Sequence, residues 1–241
     1  MRIGVVCEGP TDFFAIKYFL GAVLRKEGRE VDFIDLQPSM DATSPKAGWG
    51  NIERWLAANT PQSRSKRYFS GGIFADDLDA KACDFIIVQM DCDHLEHEAF
   101  TVFNQEKYGI NYGKLPDLDA QYNMVEKILG EWCGLSALTS ADANRHVLTP
   151  AQQSTESWCI AAYSHLLTDP DLLEGQDLID RFMTILHESE GRLLPASGFS
   201  EVDKSIKRRE KFCKKHAANC TTYITRSNSF VRTVEKTIAA M

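Results

Sequence analysis

Asp84-Phe-Ile-Ile-Val-Gln-Met90 decides the fold: a nearly unbroken apolar run, closed by the acidic tripeptide Asp91-Cys92-Asp93. A short run of this kind fits a strand buried on both faces, as in parallel sheets. A second run, Arg2-Ile-Gly-Val-Val-Cys7, opens the chain and ends at Glu8. Charges just past such strands sit at the carboxyl edge of an open α/β sheet, where ligands bind in the crevice. Carboxylates gathered there repel one another unless a cation lies between them, so the pattern points to a divalent metal.

Working outward, residues 2–7 read as a first strand. Gly9-Pro10-Thr11-Asp12 supplies a turn and a helix start, with Thr11 the expected N-cap. Phe13, Ile16, Phe19, Leu20, Val23 and Leu24 share one helical face, and Gly28 stops it. Residues 31–36 read as a second strand, 38–50 as a loop and 51–58 as a short helix. Residues 61–67 read as a loop, and Gly71-Gly72 breaks whatever Tyr68-Phe69 begins. After the strand at 84–90 the chain is mostly polar to about residue 120. Then follow a helix at 120–133, a strand at 146–149, helices at 155–167, 176–188 and 201–217, a strand at 221–225 and a last helix at 228–240. This order predicts an α/β fold: a doubly wound, mainly parallel sheet with a helical C-terminal extension. The expected organisation is a metal-binding domain over 1–165, with 166–241 packed on the same domain.

At 241 residues, 44% hydrophobic and 25% charged, the chain has the balance of an ordinary soluble globular protein. No apolar stretch approaches the roughly 20 residues of a spanning helix, so no membrane partner is expected. Met1 leads straight into a strand, which leads to the expectation of no signal peptide and a cytoplasmic location. Seven cysteines, odd in number and without a C-x-x-C pair, argue for buried reduced thiols rather than structural zinc. A formal charge of −7 excludes attraction of nucleic acid over the whole surface but permits a local basic patch. One is present from Lys204 through Lys207-Arg208-Arg209 to His216, readable as a solvated helix face or as a phosphate contact.

Glu8 falls at the first strand-to-helix turn, beside a helix N-terminus suited to anions such as phosphate. Asp12 either complements the dipole of that helix or serves as a ligand. Alternate strand residues face one side, so Asp91 and Asp93 share a pocket if strand geometry persists that far. Together with Glu8 they match the hard oxygen donors that Mg²⁺ and Mn²⁺ prefer. In Ser154-Thr155-Glu156, Ser154 reads as a cap with Glu156 complementing the dipole, or Glu156 as a third carboxylate over the same sheet edge. His94 and His97 read as surface groups or as supports to the carboxylates in preference to zinc ligands. Trp49, Trp55, Trp132 and Trp158 read as core.

With Glu8-Gly9-x-x-Asp12 after one strand and Asp91-x-Asp93 ending another, residues 1–150 resemble the TOPRIM fold of topoisomerases, primases, RNA-maturation nucleases and OLD-type nucleases. The later pattern, Ser154-Thr-Glu156-Ser-Trp158, Lys204 to Lys207 and Ser227-Asn-Ser229-Phe230, resembles the TOPRIM-like family called DUF4276. That resemblance implies a place in bacterial anti-phage or mobile-element systems. It also implies Glu8 as metal ligand or general acid/base, Asp91 and Asp93 as Mg²⁺ ligands, Glu156 at a second metal position, and Lys204 or Lys207 facing the scissile phosphate. The chain lacks the accompanying ATPase, gyrase-like and primase zinc modules and a tyrosine in a strand-passage context, which leaves nuclease as the favoured branch.

The leading expectation is therefore Mg²⁺- or Mn²⁺-dependent phosphodiester hydrolysis of DNA or RNA. A second is a latent or non-catalytic subunit that grips nucleic acid, or a protein partner encoded nearby, through the basic helix 204–216. A nucleotide-sugar transferase would use Asp91-x-Asp93 but leaves Glu8-Gly9-x-x-Asp12 unexplained.

Overall fold

The computed structural model describes residues 1–38, 48–69, 82–163, 169–223 and 226–241. Its core is a parallel sheet of β1 (Arg2–Val6), β2 (Asp32–Gln37), β3 (Phe85–Asp91) and β4 (His146–Ala151), in the order β2-β1-β3-β4. The β1–β2 connection is one helical rod: α1 (Pro10–Ala15), a wide π-helical turn at Ile16–Leu20, and α2 (Gly21–Lys26). Gly28, at φ +75°, then reverses the chain as a helix-stopping glycine does. Between β2 and β3 lie α3 (Trp49–Ala58), α4 (Pro61–Arg64) and a π-helical turn at Ser65–Phe69. Between β3 and β4 lie a 3₁₀ turn (Cys92–Glu96), α5 (Glu98–Tyr108), α6 (Leu118–Cys133) and α7 (Ser140–Ala143). After β4 the described elements are helical: α8 (Thr155–Tyr163), α9 (Gly175–Glu190), α10 (Ile206–Tyr223) and α11 (Asn228–Ala240).

Strand periodicity divides the core into two layers. Ile3, Val5, Phe85 and Ile87 point to one face, where Phe19, Trp158, Phe182, Phe212 and Phe230 meet them. Val6, Ile86, Val88 and Met90 point to the other, against Ile52, Val125, Leu129 and Trp132. Helices thus cover both faces, as continuous apolar strands require. Gly4 permits the close approach of β1 to its neighbours, since a Cβ there would stand 2.6 Å from Leu36 Cδ1 and 3.0 Å from Cys83 Sγ. α11 lies along the β4 edge, where Lys236 Nζ donates to the Leu148 carbonyl at 3.2 Å. Trp132 and Trp158 are buried, whereas Trp49 and Trp55 are half-buried against the second layer.

Several expected elements differ. The cap of α1 is Gly9, not Thr11: Pro10 takes the first helical position, and the Asp12 carboxylate accepts the Gly9 N–H at 2.9 Å. Residues 61–69 are helical rather than a loop, because Thr60 Oγ1 caps the Ser63 N–H and Pro61 has its φ already set for a first turn. The polar segment after 96 contains α5, anchored by buried Phe100 and Asn104 one turn apart. The helix expected over 201–217 runs instead from Ile206 to Tyr223, so Thr221–Tyr223 are helical and not a strand; residues 224–225 lie outside the described set. Gly71-Gly72 and the end of the expected helix 155–167 also fall outside it.

Candidate metal and phosphate cleft

β1 leads to β2 on one side, while β3 and β4 lie on the other, so the strand order reverses between β1 and β3. Crevices at such reversals are where open α/β sheets place ligands. Both strands end there in acid. Glu8 lies two residues beyond β1, and Asp91 is the last residue of β3. The Asp91 N–H donates to Glu8 Oε1 at 2.9 Å and ties the two ends together. Asp93 is not on the strand but in the following 3₁₀ turn, yet it faces the same cleft.

The cleft holds about 680 Å³, and Glu8, Asp91, Asp93, Glu156 and Lys204 all line it. Its far wall comes from residues distant in sequence: Glu174 and Leu178 from the start of α9, then Val202 and Lys204 from the segment before α10. Two expected site residues are not part of the lining. Asp12 has both oxygens engaged, Oδ2 by the Gly9 N–H and Oδ1 by Thr155 Oγ1 at 2.6 Å, and so works as a buried strut between α1 and α8. Lys207 is exposed on α10, away from the lining.

The electrostatics follow from crowding. Burial, then repulsion from Glu8, Asp12, Asp93 and Glu156, pushes the Asp91 carboxyl well above its ordinary value. Burial with Glu8 and Glu156 raises Asp12 to about 6. Asp93 is also raised, by burial first, against the pull of His94; its side chain is 46% exposed, but Oδ1 itself is shielded and has no hydrogen-bond partner. Gln89 Nε2 donates to Asp91 Oδ1 at 2.8 Å, leaving Gln89 Oε1 buried without a partner beside the cluster.

Positive groups answer from two walls, His94 beside Asp93 and Lys204 with Arg209 across the cleft. His94 Nε2 sits 2.7 Å and 2.8 Å from the two Glu8 oxygens, and this carboxylate overcomes the effect of burial to raise the imidazole pKa. Glu156 behaves differently from the other acids. Burial alone would raise it, but the Arg209 guanidinium on Oε1, with Lys204 nearby, brings it down to about 2. Lys204 is raised in turn, because Glu156, Asp12 and Asp91 outweigh the burial that opposes its charge.

Below the cleft, a buried carboxylate joins two segments that the sequence pattern had set far apart. Asp171 accepts from Ser157 Oγ (3.1 Å), Ser227 Oγ (2.8 Å) and the Ser229 N–H (2.9 Å), while Trp158 Nε1 donates to Ser229 Oγ at 2.9 Å. The Ser157-Trp158 and Ser227–Phe230 motifs therefore pin α11 beneath α8, a structural clamp. Sequence reasoning missed Arg209 as the partner of Glu156, and Gln89 as the partner of Asp91. A glutamine inside an otherwise apolar strand was the available signal for the second.

The chain was compared with family models, curated proteins and solved structures, and none matches. Among the described residues no three acidic, histidine or cysteine side chains are already gathered as a metal cage. The donor chemistry nevertheless suits a hard cation: Glu8, Asp91 and Asp93 are carboxylates forced together, and Asp93 Oδ1 and Gln89 Oε1 are acceptors without donors. Glu156 suits one less, since Arg209 already neutralises it.

Proposed function

We propose that the protein is a divalent-metal-dependent phosphodiesterase acting on DNA or RNA, with a TOPRIM-like site. The observation carrying this reading is the convergence of Glu8, Asp91 and Asp93 with Lys204 in one cleft at the β1–β3 reversal. Glu8, Asp91 and Asp93 would hold Mg²⁺ or Mn²⁺, once the Glu8 oxygens are released from His94. A bound ion of this kind activates a water and stabilises the leaving oxygen of a phosphodiester. Lys204, whose charge the surrounding acids reinforce, meets the substrate phosphate from the opposite wall. Gln89 holds Asp91 in orientation, and the pair of Arg209 with Glu156 fixes the wall behind Lys204.

Purified protein given Mg²⁺ or Mn²⁺ is expected to cut DNA or RNA, and EDTA to stop it. Glu8→Ala and Asp91→Ala should each lower cutting by at least about 100-fold, the upper range seen when even outer partners of a metal site are lost. Unchanged cutting in both variants would sink the proposal.

One observation favours a second reading, a partner-gated subunit: both Glu8 oxygens are already held, by His94 and by the Asp91 N–H. Activity appearing only on addition of a second protein, still dependent on Asp91, would select it.

A further inference from the structure

A second cleft, of about 420 Å³, adjoins the acidic one. The two share Glu96, at the end of the 3₁₀ turn that carries Asp93. They are joined again behind that wall, where Gln121 of the second cleft accepts from Gln152 Nε2 at 2.8 Å, next to Gln153 of the first. Its lining combines an aromatic ring, Tyr112, with an apolar side chain, Leu115, and with Lys114, Glu96 and the Gln121 amide. The Tyr112 hydroxyl accepts from Thr101 Oγ1 at 3.1 Å, which holds the ring at the pocket wall. The Glu96 and Lys114 side chains are exposed and, among the described residues, have no hydrogen bond or ion pair, so an acceptor and a cation are left for a ligand.

We propose that this pocket takes one unpaired nucleobase of a single-stranded nucleic acid whose backbone crosses the acidic cleft. The proposal rests on the phosphodiesterase reading and specifies its substrate class. An aromatic ring beside a slot of this size is the usual platform for an unstacked base. Glu96 accepts from an exocyclic amine, the Gln121 amide N–H donates to a ring nitrogen or carbonyl, and Lys114 meets the adjoining phosphate. A base inside a duplex presents neither its face nor its pairing edge, so duplex is excluded unless a base flips out.

The test is equilibrium binding of labelled oligonucleotides to the full chain, as single strand and as duplex of the same sequence, with Ca²⁺ as the cation; cutting in Mn²⁺ is measured separately. Single strand should bind at least about 10-fold more tightly. Tyr112→Ala should weaken that binding by about 5- to 150-fold, the range for loss of one base–aromatic stack, while Tyr112→Phe keeps it. Lys114→Glu, at an exposed position, should also weaken it and decides the matter if Tyr112→Ala does not fold. Equal affinity for duplex, no binding to either, or unchanged affinity in the folded Tyr112→Ala and Lys114→Glu proteins overturns the pocket. Metal-dependent cutting that survives such a result leaves the reading of the acidic cleft standing. Strand-selective, Tyr112-dependent binding without any cutting supports the pocket and counts against hydrolysis.

Discussion

Arg209 carries more of the cleft than its place in a basic run suggests. It is 1% exposed, its guanidinium holds Glu156 Oε1, and it stacks 4.4 Å from the Phe182 ring centroid. Removing one partner of a buried pair leaves the other charged and unsolvated, which costs about 3–5 kcal/mol, whereas replacing both by apolar groups is often neutral. Arg209→Met is therefore expected to lower the urea midpoint sharply, and the double variant Arg209→Met/Glu156→Leu to recover most of the loss. Equal loss in single and double variants would contradict the pairing. The pair also has a pH signature. A carboxyl brought down to about 2 from 4.5 contributes stability that is complete above 4.5 and disappears as pH falls towards 2. The sequence placed Arg209 in a charge cluster but gave no sign that one member points inward, because its burial is set by Glu156 and Cys159 of α8, some fifty residues away, and by the Phe182 ring.

α10 shows how a run of like charges is divided. Arg208 pairs with Glu190 and Asp203, Arg209 is buried, and Lys215 and His216 bond to Ser189. Lys207, Lys211 and Lys214 remain exposed, four and three residues apart and so on one face. If nucleic acid crosses the cleft past Lys204, this ridge tracks its backbone. Each lysine-to-alanine change should then reduce the slope of log affinity against log salt by about 0.7–0.9, measured on one oligonucleotide across a salt series. An unchanged slope in the triple variant identifies the ridge as solvated surface. Legibility also varied by element. β1 and β3 announced themselves by apolar runs and β2 by a looser alternation, whereas Thr221-Thr222-Tyr223, β-branched and aromatic, misled: Cys220, buried with its thiol on the Phe19 carbonyl of the π-helical turn, lies on the inner face of α10, which continues past it. α5 escaped notice because it buries little beyond Phe100 and Asn104.

For the molecule as a whole, the acidic cleft is a cost that the proposed cation would lift. Asp12, raised to about 6, and Asp91, also raised well above its ordinary value, bind protons more tightly in the folded protein than in the unfolded chain. Their contribution to stability is thus present at low pH and lost as pH rises through the folded values. Mg²⁺ should therefore raise the thermal midpoint more at pH 7 than at pH 4.5, where protons already relieve the repulsion; an equal or absent shift argues against a cation in this cleft. The α/β character, the parallel sheet and the acids at its carboxyl edge were legible from strands and their terminal charges. The strand order and the far wall of the cleft were not, since those depend on contacts between residues separated by most of the chain.

That far wall gives the cleft a history as well as a shape. The acids at 8, 91 and 93 leave the ribosome long before Lys204 and Arg209, so until those follow only His94 stands against them. The far wall then closes only once Lys204 and α10 have followed, and a chain that stops before them lacks the cation proposed to meet a phosphate.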